Sequence, residues 1–213
     1  MNARFMDVEL LVERGVLVPR AETELLGATA LEVVSDRSRI IDMCCGSGNL
    51  ACALASRLPH ARVWASDLTD SCVALARKNA QFTGVASRVT VVQGDLFAGL
   101  HELEGTIDLI VCNPPYISQA KLAGERAVLL EGEPREAFDG GPYGLSIHQR
   151  VVKEALPFLK PGGHLLFEIG LGQERQVRML FERTRAYEEI RTVGNAAGEV
   201  RVVAARKVNQ RGN

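Results

Sequence analysis

Arg39-Ile-Ile-Asp-Met-Cys-Cys-Gly-Ser-Gly-Asn-Leu50 decides the fold class. Ile40 to Met43 is a short apolar run that reads as a buried strand. It breaks into a turn bearing Gly46 and Gly48, and a helix follows through about Leu58. Downstream the alternation repeats. Strands are expected at Arg62–Asp67, Val89–Gln93, Ile107–Cys112 and His164–Ile169, with helices at about Asp70–Phe82, from about Gly144 to Leu159, and Gln173–Arg185. Strands alternating with helices imply a mostly parallel sheet covered on both faces. Two last strands, near Glu188–Val193 and Glu199–Ala205, have no helix between them and are expected to pair antiparallel.

The expectation is therefore an α/β, doubly wound, mostly parallel seven-stranded sheet with an antiparallel last strand. Pro161-Gly162-Gly163 reads as a turn before the fifth strand. Upstream, Val8 to Pro19 has two short apolar runs around Glu13-Arg14-Gly15, which predicts an N-terminal β-hairpin. Glu22 to Val34 has leucines and alanines at helical spacing. Residues 1–20 thus form a hairpin extension and 21–213 the main domain. A long irregular stretch, rich in turn formers, runs from Asn113 to about Gly144.

Bulk properties narrow the function classes. The chain has 213 residues, 46% apolar and 24% charged, enough for one substantial core. A formal net charge of −1 and 5% aromatic residues disfavour nucleic acid as the main partner. No apolar run approaches the roughly 20 residues that span a bilayer. The first residues lack a signal peptide's apolar core, so a cytoplasmic location is expected. Five cysteines, none spaced as Cys-x-x-Cys, suggest neither a disulfide framework nor a metal site.

In such sheets ligands bind beyond the carboxyl ends of the strands. Gly46 and Gly48 let the backbone approach a ligand, and the helix after them presents free amide hydrogens. Asp67 ends the second strand, 25 residues after Asp42, where an acid accepts ribose hydroxyls. Asp95 is placed to reach an adenine amino group, with Leu96 against the ring. A dinucleotide-dependent oxidoreductase is disfavoured by the antiparallel terminal hairpin and by the segment after the fourth strand.

That segment is Asn113-Pro114-Pro115-Tyr116. Two prolines cannot continue a strand or a helix, so a rigid turn sits at the sheet's carboxyl edge. An amide or aryl amine is a poor nucleophile because its lone pair is delocalised. If the Asn113 side-chain oxygen and the Pro114 carbonyl each accept an N–H, the lone pair points at an incoming electrophile and the developing positive charge is favoured. Tyr116 is expected to stack on the planar group.

With Asp42, the glycine loop, Asp67 and Asp95 in order upstream, the chain resembles the class I S-adenosylmethionine-dependent methyltransferases. Two further segments resemble the HemK/PrmC family of release-factor glutamine methyltransferases. They are Val16-Leu-Val-Pro-Arg-Ala-Glu-Thr-Glu24, and Glu133-Pro-Arg-Glu-Ala-Phe-Asp-Gly-Gly141 with Gly144-Leu145. The likeness runs from about Phe5 to Arg206. It implies that Asp42, Cys44, Cys45, Gly46, Ser47 and Gly48 line the methionine and ribose side of S-adenosyl-L-methionine, the product being S-adenosyl-L-homocysteine. It implies that Asp67 and Leu68 lie at the ribose, Asp95 and Leu96 at the adenine, and Arg20, Thr23 and Asn113 near the methionine end or the acceptor entrance. Asn113, Pro114, Pro115 and Tyr116 would hold a glutamine amide in a release factor's Gly-Gly-Gln loop.

Three departures stand out. Position 44 is cysteine where the family has glycine, and position 21 is alanine where it has proline. The likeness also begins where the N-terminal helical domain of bacterial members ends, so a catalytic core lacking that domain is expected. Relatives of this length imply a small activator subunit as a candidate partner. The competing readings are an adenine or guanine amine methyltransferase of nucleic acid, a biosynthetic enzyme acting on a small-molecule or peptide amide, and a non-catalytic scaffold.

Overall fold

A computed structural model describes residues 2–124 and 133–209. The chain opens with strands β1 (Asn2–Phe5) and β2 (Val8–Leu11), paired antiparallel with Phe5 opposite Val8. The N-terminal hairpin is present, but its turn is Met6-Asp7 rather than Glu13-Arg14-Gly15. Met6 and Asp7 both take positive φ, 46° and 68°. Two-residue hairpin loops ask for that conformation and usually fill it with Asn or Gly, so methionine hid the turn. Packing compensates: Phe5 and Leu10 are fully buried, and Met6 covers Gly27, where an added Cβ would lie 2.2 Å from its sulfur. Val16 to Pro19, read as the hairpin's second apolar run, instead is irregular and leads toward the sheet's carboxyl edge.

The helix expected at Glu22–Val34 is one 3-10 turn, Ala21–Thr23, followed by α1 (Glu24–Leu31). Then come β3 (Arg39–Met43), α2 (Asn49–Arg57), β4 (Arg62–Asp67), α3 (Asp70–Phe82), β5 (Val89–Gln93) and β6 (Ile107–Cys112). The irregular stretch holds a short helix, α4 (Gln119–Ala123), and a 3-10 turn at Arg135–Ala137; its residues 125–132 lie outside the described residues. α5 (Ser146–Glu154) stops short of Leu159 because Pro157 disfavours helix in the residue before it.

β7 spans Leu159–Glu168, longer than expected. Its pairing with β6 jumps from Ile107–Leu159 to Leu109–His164, so Pro161-Gly162-Gly163 is looped out as a bulge inside the strand. α6 (Glu174–Thr184), β8 (Tyr187–Gly194) and β9 (Val200–Lys207) complete the chain. The seven-stranded order is β5-β4-β3-β6-β7-β9-β8, with β9 antiparallel to both neighbours. Ile40, Ile41, Leu109, Ile110, Leu165 and Leu166 are all 0% exposed, as central parallel strands with helices on both faces require. The strand order reverses between β3 and β6, and that reversal fixes where a ligand crevice must open.

Candidate functional site

β3 and β6 end in register, Met43 beside Cys112. That pairing sets the next residues, Cys44 and Asn113, at the mouth of the crevice. The chain turns there through Cys44, Gly46 and Gly48, whose φ values are 58°, 53° and 75°. The first is a left-handed conformation that costs a residue with a Cβ. The turn is tied down by backbone groups: Cys45 N–H donates to the Ser66 carbonyl (3.0 Å), and Gly46 N–H donates to Asp67 Oδ2 (2.8 Å). Asp42 Oδ2 accepts from Ala51 N–H at 2.9 Å, anchoring the start of α2.

Polar capacity is left over on this side. Asp42 is 1% exposed, and neither its Oδ1 nor the Ser47 hydroxyl has a partner among the described residues. Burial pushes the Asp42 carboxyl from 3.8 to about 7, the Ala51 N–H opposes the rise, and Asp67 adds to it. A buried carboxylate with an unused oxygen suits a cationic group.

A cavity of about 140 Å³ lies beyond these strand ends. Of the residues singled out in the sequence, Cys44, Gly46, Asp67, Leu68, Asp95, Leu96, Asn113 and Pro115 line it. An adjoining cavity of about 30 Å³ gathers Arg20, Thr23, Asp42, Cys45 and Ser47, again with Asn113. Asn113 therefore stands between the two. Gly48, Pro114 and Tyr116 line neither. Gly48 instead starts α2 against α3, where an added Cβ would sit 3.0 Å from that of Ala76. Asp95 does not stand free: Arg150 Nη1 donates to both its oxygens at 2.9 and 3.2 Å. Leu17, Cys72, Glu136 and Ile147 also line the larger cavity and were not foreseen.

Asn113 has a defined orientation. Its Nδ2 donates to the hydroxyl of Thr23, itself 1% exposed, at 3.1 Å, so Oδ1 is the end of the amide left to accept. Tyr116 differs from expectation in what holds it. Its hydroxyl donates to Glu168 Oε1 (3.1 Å) and accepts from Arg201 Nη2 (3.2 Å), with the Arg201 guanidinium 5.9 Å from the ring centre. Burial first, and then Glu168, pushes the phenol up to about 12. Gln173 Nε2 donates to the carbonyls of Tyr116 (2.9 Å) and Gly144 (3.1 Å), tying the turn to the segment after it.

A model of the methyltransferase small domain matches residues 22–130. The release factor glutamine methyltransferase of Moorella thermoacetica is 39% identical over 206 residues, 96% of this chain and 72% of that protein. Its counterpart from Geobacter sulfurreducens is 39% identical over 202 residues, 95% and 69% respectively. The chain belongs to the release factor glutamine methyltransferase family. Among solved structures, a methyltransferase from Pyrococcus furiosus superposes with a TM-score of 0.68 at 17% identity, covering 94% of this chain and 89% of that one. An RNA methyltransferase from Salinibacter ruber in complex with S-adenosyl-L-homocysteine gives 0.58 at 18% identity, covering 93% and 97%. Both extend the likeness of fold.

The two segments that carried the family resemblance meet in space. Glu133 accepts from Val18 N–H at 2.9 Å and pairs with the guanidinium of Arg20, so the family's entry motif and its Glu-Pro-Arg loop close on each other beside the cleft. Sequence reasoning passed over Glu168, Arg201 and Arg150. The signal for Glu168 was a carboxylate in the otherwise apolar run Leu165-Leu-Phe-Glu-Ile169. Arg201 likewise interrupts the apolar strand Val200–Ala205. Buried charges in strands are rare enough to mark a site.

Proposed function

We propose that this chain transfers the methyl group of S-adenosyl-L-methionine to the side-chain amide nitrogen of a glutamine in a peptide chain release factor, within its Gly-Gly-Gln loop. The observation that carries this reading is Asn113, whose amide nitrogen donates to Thr23 so that its oxygen is the end left to accept, in a chain of this family. When bound, the cofactor supplies an electrophilic methyl on a sulfonium and leaves as S-adenosyl-L-homocysteine.

The chain's own residues divide the work. Asp42 with its unused oxygen, Ser47, Arg20 and Thr23 would face the charged methionine end. Asp67, which organises the loop through Gly46, would accept ribose hydroxyls with Leu68 beside it. Leu96 would lie against the adenine, while Asp95 and Arg150 close that end as a pair. The Asn113 oxygen and the Pro114 carbonyl would accept the two amide hydrogens, localising the lone pair on nitrogen and favouring the positive charge that grows there. The methylated nitrogen is acidic, so its extra proton leaves without a strong base. Pro115 stiffens the turn, and Tyr116 is fixed at its end. We place this reaction in the cytosol, where a translation factor is met; among the described residues no helix is long and apolar enough to cross a membrane.

The test is incubation with methyl-labelled cofactor, a purified release factor and total RNA together. Label and a one-methyl mass gain on the Gly-Gly-Gln peptide are expected. Label confined to RNA would replace this reading with nucleic-acid amine methylation.

A further inference from the structure

Gln173 stands at the N-terminal end of α6, where a polar side chain ordinarily caps its own helix. It makes no such cap. Its amide is engaged by three other positions instead. Nε2 donates to the carbonyls of Tyr116 (2.9 Å) and Gly144 (3.1 Å), and Oε1 accepts from Gly170 N–H (2.9 Å). Two carbonyls facing the nitrogen and one N–H facing the oxygen fix which end of the amide is which. Among side chains only those of Asn and Gln carry an NH2 and a carbonyl on one planar group, and Asn is one methylene shorter.

The segments joined in this way converge on the acceptor turn. A Cβ added at Gly140 would lie 2.8 Å from the Pro115 carbonyl oxygen, and one at Gly144 2.3 Å from that of Tyr116. Gly170 follows the end of β7 by two residues. A Cβ there would lie 2.9 Å from Gln173 Oε1 and 3.1 Å from Tyr116 Cδ2. Glycine at these positions lets three stretches of backbone meet around one side chain. Next to that junction, Ile117 N–H donates to the Phe138 carbonyl (2.9 Å) and Gly140 N–H donates to the Ile117 carbonyl (2.9 Å).

We infer that Gln173 is a positioning residue of the acceptor turn, which sets the direction of the Pro114 carbonyl by fixing the turn's exit. The entry is fixed by β6, whose last residue, Cys112, pairs in register with Phe167 of β7. Between entry and exit lie Pro114 and Pro115, whose rings lock φ. With both ends held, little torsional freedom remains, and the Pro114 carbonyl keeps one direction. Gln173 does not touch the acceptor. What the Pro114 carbonyl accepts rests on the proposed function above; that Gln173 holds the turn rests on its hydrogen bonds. A turn released at its exit lets that carbonyl swing, and misaligning a group that acts in the transition state lowers kcat more than it weakens acceptor binding.

The experiment is Gln173→Glu in the full chain. The change is nearly isosteric, keeps an acceptor for Gly170 and replaces both donors by an oxygen facing two carbonyls. Amide hydrogen exchange needs no methyl acceptor and is read first. The amides of Ile117 and Gly140 should exchange about tenfold faster, the change expected from about one lost net hydrogen bond, while Leu109 and Ile110 of β6 keep their rates. Rates unchanged at Ile117 and Gly140, or raised equally in β6, would overturn the inference, the second outcome being general destabilisation. Kinetics on a purified release factor are read second. There kcat per folded molecule should fall about tenfold, with KM for the factor within about threefold and the cofactor dissociation constant within about twofold. An unchanged kcat, or a loss carried wholly by KM, would also sink the idea. Should Gln173→Glu not fold, Gly170→Ala replaces it, because its Cβ must displace the Gln173 amide, and the same outcomes decide. If the unsubstituted protein methylates no release factor, the functional reading fails, and the exchange rates alone decide what Gln173 holds.

Discussion

The two ends of the site are built on opposite plans. The loop from Asp42 to Gly48 is held by its backbone, through the amides of Cys45 and Gly46, and keeps polar atoms in reserve at Asp42 and Ser47. The turn from Asn113 to Tyr116 is held by side chains, with Asn113 committed to Thr23 and Tyr116 to Glu168 and Arg201. A surface that leaves hydrogen-bonding capacity unused gains most when a ligand arrives. A turn whose side chains are already engaged is pre-oriented, and pre-orientation is what accelerates a reaction rather than tightening ground-state binding. The contrast teaches that binding and chemistry should separate cleanly under mutation.

The largest expected effect breaks the acceptor side alone. Asn113→Ala should lower kcat by about 100- to 1000-fold, the range found when one transition-state hydrogen-bonding group is removed, with cofactor affinity nearly unchanged by calorimetry. Collapse of cofactor affinity instead would mean that the division between the two ends is wrongly drawn. Asp67→Ala should do the reverse. It removes a carboxylate that supports Gly46 and would serve the ribose, so the dissociation constant should rise by roughly ten- to a hundredfold, with kcat at saturation far less affected.

Next in size is a pH effect confined to the cofactor side. The folded-state pKa of Asp42 is raised from 3.8 to about 7, chiefly by burial. The folded protein therefore binds that proton more tightly than the unfolded chain does, and stability falls as pH rises from about 4 to about 7. Asp42→Asn should remove this slope. Thermal melts of the two proteins should agree near pH 4 and diverge toward pH 7, the variant being more stable by up to a few kcal/mol yet binding the cofactor less well. Parallel melting curves across that range would show that Asp42 is not held protonated.

Legibility in the sequence followed the same division. The sheet could be read because Ile40–Met43, Arg62–Asp67, Val89–Gln93 and Ile107–Cys112 are local apolar runs with glycine or proline punctuation, and local pattern is what a sequence displays. The residues at the cavity were legible where they sit at a strand's end or within two residues of it, as Asp67, Asp95 and Asn113 do. What stayed hidden depends on contacts across long separations. Thr23 meets Asn113 90 positions away, and Arg201 meets Tyr116 85 positions away, so no spacing rule announces them. The Met6-Asp7 turn was missed because tertiary packing there overrides the residue types a turn normally selects, while Pro161–Gly163, read as a turn before the strand, is a bulge within it.

The smallest effect concerns the one residue that belongs to both regions by position. Cys44 follows β3 directly beside the start of the acceptor turn, and it holds a φ of 58° with a side chain that lines the larger cavity. Glycine there would relieve the left-handed strain, worth about 1–2 kcal/mol for a residue with a Cβ. It would also enlarge the entropy of the unfolded chain by about 0.5–1 kcal/mol, so the gain should be small. Cys44→Gly should therefore change the melting temperature by a few degrees at most. Its sharper consequence is in binding: if the β-carbon crowds the cofactor, calorimetry should record tighter binding in the variant with kcat unmoved. Weaker binding would instead assign the Cys44 side chain a packing contact with the ligand, and make the departure from glycine a contribution to the pocket rather than a cost.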